Sequence, residues 1–186
     1  MLQYINTIDG NILFFIQEHM RNPILTPFFQ FVTCIGDKGM IWIIIAVILV
    51  CFKKSRKTGA VILITLMLSF IINNEILKHV IARPRPFTTL DNLKILISKP
   101  TDFSFPSGHT ASSFAAAGSI CFYGNKKWSV PAFILAALIG FSRLYLGVHY
   151  PSDVIFGILS GLILSFIVSK LLICWQMKTA SKASIS

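Results

Sequence analysis

Charged residues are scarce in this chain. They make up 13% of its 186 residues, while 54% are hydrophobic. An ordinary soluble domain carries roughly 25% charged residues. That deficit, with a mean hydropathy of +0.73, points to lipid as the main solvent. Acids are scarcer still: 7 against 17 Lys and Arg, a net charge of +10. In a soluble protein such a balance would suggest nucleic acid. Here the basic residues fall in short gaps between apolar runs, which suits headgroups and topology. No RNA- or DNA-binding motif is visible, so no nucleic-acid partner is expected.

Other absences narrow the reading. Cys34, Cys51, Cys121 and Cys174 form no CxxC pair and read as small apolar fillers of helices. The N-terminus lacks the basic, apolar and small-residue order of a signal peptide. No repeat or low-complexity segment appears. No cluster of carboxylates or His has metal-ligand spacing, so neither a metal nor a cofactor is expected. Glu75 reads instead as a partner of Lys78 or His79 on one helix face.

What is present is a series of apolar runs, with room for one domain over 1–186. A membrane helix needs roughly 20 mainly apolar residues. Residues 39–52, 58–80, 110–123, 129–146 and 152–175 qualify or nearly do. Residues 22–36, interrupted by Pro23 and Pro27, make a weaker first span. The expectation is an all-α polytopic bundle of about six spans. Ahead of it, residues 1–20 suggest an interfacial amphipathic helix with Ile5, Ile8, Ile12, Phe15 and Ile16 on one face. Residues 178–186 read as a frayed polar tail.

Lys53, Lys54, Arg56, Lys57, Lys126, Lys127, Lys170, Lys178 and Lys182 then share one side, which the positive-inside rule makes cytoplasmic. The turn at 36–38, the segment 82–108 and the turn at 145–151 share the other. Three polar clusters converge there: "NNEILKHVIARPRP", "FSFPSGHTASS" and "FSRLYLGVHYPSD". Ionisable groups at the lip of a membrane bundle are costly and functional by default.

Their chemistry suits phosphoryl transfer. Lys78, Arg85 and Arg143 are cations able to clamp a phosphate, the arginines by forked bonding. Ser107 and Gly108 open a helix whose backbone N–H groups can face anionic oxygens. Asp153, four residues after His149, can hold one imidazole nitrogen and leave the other free to attack. His109 suits a general acid for the leaving oxygen.

These residues also match a family pattern. The chain resembles the type 2 phosphatidic acid phosphatase (PAP2) superfamily, whose signature reads KxxxxxxRP, PSGH and SRxxxxxHxxxD. The blocks here run Lys78 to Pro86, Pro106 to His109 and Ser142 to Asp153, in that order and spacing. The resemblance implies a single transmembrane phosphatase domain. It implies a metal-independent phosphatase with a phosphohistidine on His149, Asp153 orienting it and His109 as acid. Lys78, Arg85, Ser107, Gly108 and Arg143 would bind phosphate, with Ser142, Pro86 and Pro106 in support. The superfamily also holds vanadium haloperoxidases, but those are large and soluble.

The expected substrate is a lipid phosphate at the extracytoplasmic side of a plasma (inner) membrane. Undecaprenyl diphosphate is the first choice, because Lys94, Lys99 and Arg83 could meet a second phosphate. Phosphatidic acid, phosphatidylglycerophosphate and lipid A phosphates are the alternatives. A lipid-phosphate binder or flippase without hydrolysis is a further reading, against which the His149–Asp153 pair argues.

Overall fold

A computed structural model describes residues 2–183 of the chain. Among them every regular element is helical. Helix α1 spans Leu2–His19, α2 Leu25–Ile35 and α3 Met40–Cys51. Helix α4, Arg56–Ser69, runs through a π-helical segment, Phe70–Leu77, into α5, Lys78–Ile81. The short α6, Pro86–Thr89, precedes an irregular stretch that leads to α7, Gly108–Phe122. Helices α8, Ser129–Tyr145, and α9, Pro151–Ala183, complete the bundle.

The centre is built on small residues. Ala115, Ala116 and Ala117 of α7 are fully buried, which lets neighbouring helices approach closely, as small side chains do in membrane bundles. Around them pack Trp42, Ile62, Leu66, Ala136 and Ile139. The Trp42 indole donates to Ser113 Oγ at 2.9 Å, so the largest buried ring carries no unpaired N–H. The outside is apolar as well: Ile44, Val47, Ile48, Met67, Phe70, Ile155, Leu159 and Ile163 are all exposed. In water such a belt would be an aggregation surface; against acyl chains it is the expected exterior.

Three helical runs, Arg56–Thr89, Lys126–Tyr145 and Pro151–Thr179, are long and apolar enough to cross a membrane. The pair Leu25–Ile35 and Asp37–Cys51, bent by 44°, adds a fourth if it counts as one broken span. The expected spans at 22–36 and 39–52 are therefore helices of 11 and 12 residues. Lys38 and Gly39, both at positive φ, break the chain between them. The expected span at 110–123 corresponds to the 15-residue α7.

In α1, Ile5, Ile8, Ile12 and Phe15 are exposed, but Ile16 is buried with Leu13. Ile16 thus leaves the outer face to which its spacing assigns it and joins Phe29, Tyr145 and Leu146 in a side core. At the other end α9 stays helical to Ala183, past the start of the tail expected from 178, since no Gly or Pro interrupts 162–183. Residues 184–186 of that tail lie outside the described residues.

Connectivity gathers the polar clusters at one end. Helices α7, α8 and α9 pack against one another, and α1 lies beside α8 and α9. Backbone bonds from Ser104 N–H to the Arg83 carbonyl (2.8 Å) and from Ser107 N–H to that of Asp153 (3.2 Å) tie the irregular stretch to this end.

Candidate functional site

The π-helical segment positions the first cation. Asn73 Nδ2 donates to the Ser69 carbonyl at 3.0 Å, and Ser160 Oγ donates to Asn73 Oδ1 at 2.8 Å. This side chain bonds along and across the helix where the backbone ladder is widened. Asn74 then faces α7, and a Cβ on Gly108 would sit 2.6 Å from its Oδ1. A side chain at 108 would therefore have to push the Asn74 amide aside. Lys78 follows one turn later, 7% exposed.

Arg85 sits just before the Pro86 that opens α6, and is 5% exposed. Its Nη1 donates to the Val148 carbonyl at 2.7 Å and lies 3.3 Å from His149 Nε2. Its Nε donates to the Asp102 carbonyl at 2.8 Å, and its Nη2 to Asp102 Oδ1 at 2.5 Å. Lys78 Nζ pairs with the other oxygen, Oδ2. Arg143, at the end of α8, donates from Nη1 to Thr33 Oγ1. Its buried Nε has no hydrogen-bond partner among the described residues.

His149 occupies the turn between α8 and α9, which Gly147 at φ +77° makes possible. The imidazole is 2% exposed. Its Nδ1 lies 3.5 Å from Asp153 Oδ2, ion-pair range rather than a formed hydrogen bond. Burial pushes His149 down to about 3, partly offset by Asp153 and reinforced by Arg85 and Arg143. The ring is therefore neutral at ordinary pH. Asp153 is fixed on all sides: Oδ2 accepts from Ser104 Oγ (2.5 Å) and Tyr150 N–H (3.0 Å), Oδ1 from Arg83 Nη1 (2.7 Å).

Ser107 is buried before the first turn of α7, and Thr110 Oγ1 donates to its Oγ at 2.9 Å. His109 Nε2 points toward Asp37 Oδ1 at 3.7 Å. Arg143, Lys78 and Arg85 all act electrostatically on His109, which puts the three cations in its neighbourhood. Ser142 Oγ donates back to the Ile139 carbonyl at 2.6 Å, so its hydroxyl serves its own helix. Pro86 and Pro106 are buried supports.

Two expected partnerships differ from the geometry. Lys78 pairs with Asp102 rather than Glu75, and His79 Nδ1 meets the Glu75 backbone carbonyl at 2.9 Å. Glu75 is exposed, so water competes with any pairing on its helix face. Arg83 does not stand free for a second phosphate. It bridges Asp153 and Asp9, with Asn6 and Ser152 as further partners, and stacks over the Tyr150 ring at 3.8 Å.

The sequence motifs thus missed Asp102, Asp37, Asp9, Ser104 and Thr33. The scarcity of acids was the available signal. Of the 7 acidic residues, Asp9, Asp37, Asp102 and Asp153 contact a cation or imidazole at this end. No group of three or more His, Cys, Asp or Glu side chains among the described residues forms a metal cage. The arrangement is three buried cations, a helix N-terminus and two imidazoles, one backed by a carboxylate. It can hold a tetrahedral dianion and present a neutral nitrogen to it.

Comparison with known proteins agrees with this architecture. A family profile described as the PAP2 superfamily matches residues 59–177. An undecaprenyl-diphosphatase of Sulfolobus acidocaldarius is 39% identical over 130 residues, covering 68% of this chain and 61% of that protein. The undecaprenyl-diphosphatase BcrC of Bacillus subtilis is 32% identical over 147 residues, 79% of this chain and 75% of its own length. The crystal structure of a transmembrane PAP2-type phosphatidylglycerolphosphate phosphatase from Bacillus subtilis superposes with a TM-score of 0.75. It is 26% identical and covers 90% of this chain and 86% of that one.

Proposed function

The chain belongs to the PAP2 superfamily, and from that premise we propose that it is an integral-membrane lipid phosphatase whose preferred substrate is undecaprenyl diphosphate. The observation that carries the reading is the setting of His149. Its Nε2 lies toward Arg85 and its Nδ1 toward the buried Asp153 carboxylate. A lipid-phosphate carrier needs cations but no oriented nucleophile.

In the first step His149 Nε2 attacks phosphorus, an N–P bond forms, and the P–O bond to the lipid side breaks. His109 gives its proton to the departing oxygen. Lys78, Arg85, Arg143 and the N–H groups at the start of α7 stabilise charge on the equatorial oxygens. In the second step water attacks phosphorus, His109 takes a proton from it, and the N–P bond breaks to return neutral His149 and free phosphate. Asp153 stabilises the imidazole as it gains positive charge. The three side-chain cations supply the charge that a metal would otherwise bring.

The fuller arrangement follows from the same reading. Six spans, α2, α3, the α4–α5 run, α7, α8 and α9, would put the site at the extracytoplasmic side of a plasma membrane. The exposed apolar row of α1 would then lie along the interface. The two undecaprenyl-diphosphatase relatives support the diphosphate substrate. A monophosphate such as phosphatidylglycerophosphate is the second reading, favoured by the Bacillus subtilis structure.

The test is phosphate release by purified protein in detergent, from a polyprenyl diphosphate and from short-chain phosphatidic acid, with EDTA present. Release should persist in EDTA, favour the diphosphate and vanish in His149→Ala. Loss in EDTA would remove the metal-free step, and turnover surviving in His149→Ala would remove the nucleophile. Binding without release by the wild type would leave a carrier.

A further inference from the structure

Asp102 stands outside the three motif blocks, in the irregular stretch between α6 and α7. Its carboxylate sits where a phosphoryl group would be expected: one oxygen on Lys78 Nζ, the other 2.5 Å from Arg85 Nη2. The two cations are buried, yet the Asp102 side chain is 51% exposed. An acid carried on an outer loop thus reaches inward to cations that the bundle holds in place.

Four of the five Arg85 N–H groups are taken: Nη1 by the Val148 carbonyl and His149, Nε by the Asp102 carbonyl, and one N–H of Nη2 by the Asp102 side chain. A single N–H of Nη2 remains, so for Arg85 to grip an anion by two parallel bonds one partner must leave. Val148 is fully buried and cannot. The half-exposed carboxylate can swing toward solvent, and a dianion arriving beside it would repel it outward.

We propose that Asp102 is a placeholder: its carboxylate occupies Lys78 and Arg85 while the site is empty and is displaced when a phosphoryl group binds. This rests on the reading of Lys78 and Arg85 as phosphate ligands. The placeholder keeps two buried cations paired between turnovers, sparing them an uncompensated charge. It also competes equally with substrate and with product phosphate. An internal competitor lowers the apparent affinity of every ligand by the fraction of time the site is free. Substrate KM and product Ki therefore rise together, and phosphate is held less tightly after the second step.

The experiment uses Asp102→Asn in the full chain, which keeps the side-chain shape and removes its charge. Orthovanadate, a tetrahedral oxyanion of phosphate size, serves as the inhibitor alongside a short-chain lipid substrate. Vanadate Ki and substrate KM should both fall, each by about tenfold, the equivalent of 1.4 kcal/mol, and kcat should not rise. A Ki that is unchanged or higher overturns the proposal. Asp102→Ala should move both constants the same way and replaces Asp102→Asn if that variant fails to fold by circular dichroism. Arg85→Gln, measured in parallel, should abolish vanadate inhibition. If it does not, the ligand assignment fails and takes the placeholder with it. If it does and Asp102→Asn binds no tighter, the placeholder alone fails.

Discussion

Of the carboxylates that meet arginines at this end of the bundle, Asp153 and Asp102 have opposite surroundings. Asp153 is fully buried and receives Arg83, Ser104 and the Tyr150 N–H while facing His149. Arg83 is itself held by Asp9 of α1, which is 3% exposed. Asp102 has a half-exposed side chain on an outer loop, and among the described residues its carboxylate rests only on Lys78 and Arg85. Both are ion pairs, but burial and the number of fixed donors decide what each can do. Removing one partner of a buried pair strands a charge and costs roughly 3–5 kcal/mol. A pair open to water is worth far less and can be exchanged. The inner acid is built to stay, and the outer one can leave.

The comparison is tested most severely at Asp153. Asp153→Asn keeps the volume but turns an amide toward donors that need an acceptor, and it removes the charge behind His149. We expect kcat to fall on the order of a thousandfold or more, as when a triad carboxylate is lost, with KM little changed. Steady-state kinetics in detergent measure both. A drop confined to KM would make Asp153 an ordinary packing acid.

One shell further out, Asp9 offers the next largest effect. Asp9 Oδ2 accepts from Arg83 Nη2 at 2.8 Å and Oδ1 from the Ser152 N–H at 3.0 Å. It holds the arginine that holds Asp153, so it is a positioning residue. Asp9→Asn should lower kcat about tenfold to a hundredfold, the scale of a sub-ångström to 1 Å misplacement, while KM stays near the wild-type value. Unaltered kcat would reduce α1 to a packing helix.

Burial also sets a pH dependence. Folded His149 titrates at about 3, against an ordinary value of 6.5. Between those values the unfolded chain binds a proton that the folded chain refuses, so this residue's contribution to stability falls as pH drops from 6.5 toward 3. Asp102 acts in the same direction: burial opposes its ionisation, but Lys78 and Arg85 outweigh that and hold it well below the usual carboxylate range. Thermal unfolding of the detergent-solubilised protein should therefore soften over this range, and less steeply in His149→Gln. Equal slopes would place the acid sensitivity elsewhere.

What was legible in the sequence divides along the same line. The motif residues Lys78, Arg85, Ser107, Gly108, His109, Arg143, His149 and Asp153 are brought to one end because each lies at the end of a helix or beside one, and apolar runs locate helix ends. The supporting acids were not legible, because each contact joins distant segments: Asp9 to Arg83, Asp37 to His109, Asp102 to Lys78. Periodicity carries no information about such pairs. The π-helical segment escaped for a different reason: one widened turn shifts Asn73 and Asn74 inward without disturbing the apolar run. The short α2 and α3 differ from full-length spans because the positive-φ turn at Lys38 and Gly39 is a backbone property that hydropathy does not register.

The smallest expected effect lies on the outer loop, at Lys94. Its backbone is pinned from both sides, N–H to Gln17 Oε1 at 2.8 Å and carbonyl to Arg21 Nη1 at 2.6 Å. Its side chain is exposed, so Lys94→Ala should leave the loop in place and remove only a charge. With Arg83 committed to Asp9 and Asp153, a second phosphate would have to look to Lys94 and Lys99. An exposed charge contributes about 1 kcal/mol at most, so KM for a polyprenyl diphosphate should rise by about fivefold or less. KM for a monophosphate lipid should not move. The difference should fade near 1 M salt, where the screening length is about 3 Å. An unchanged diphosphate-to-monophosphate ratio at low salt would take Lys94 out of substrate recognition. The outer loop would then contribute to the site through Asp102 rather than through its lysine.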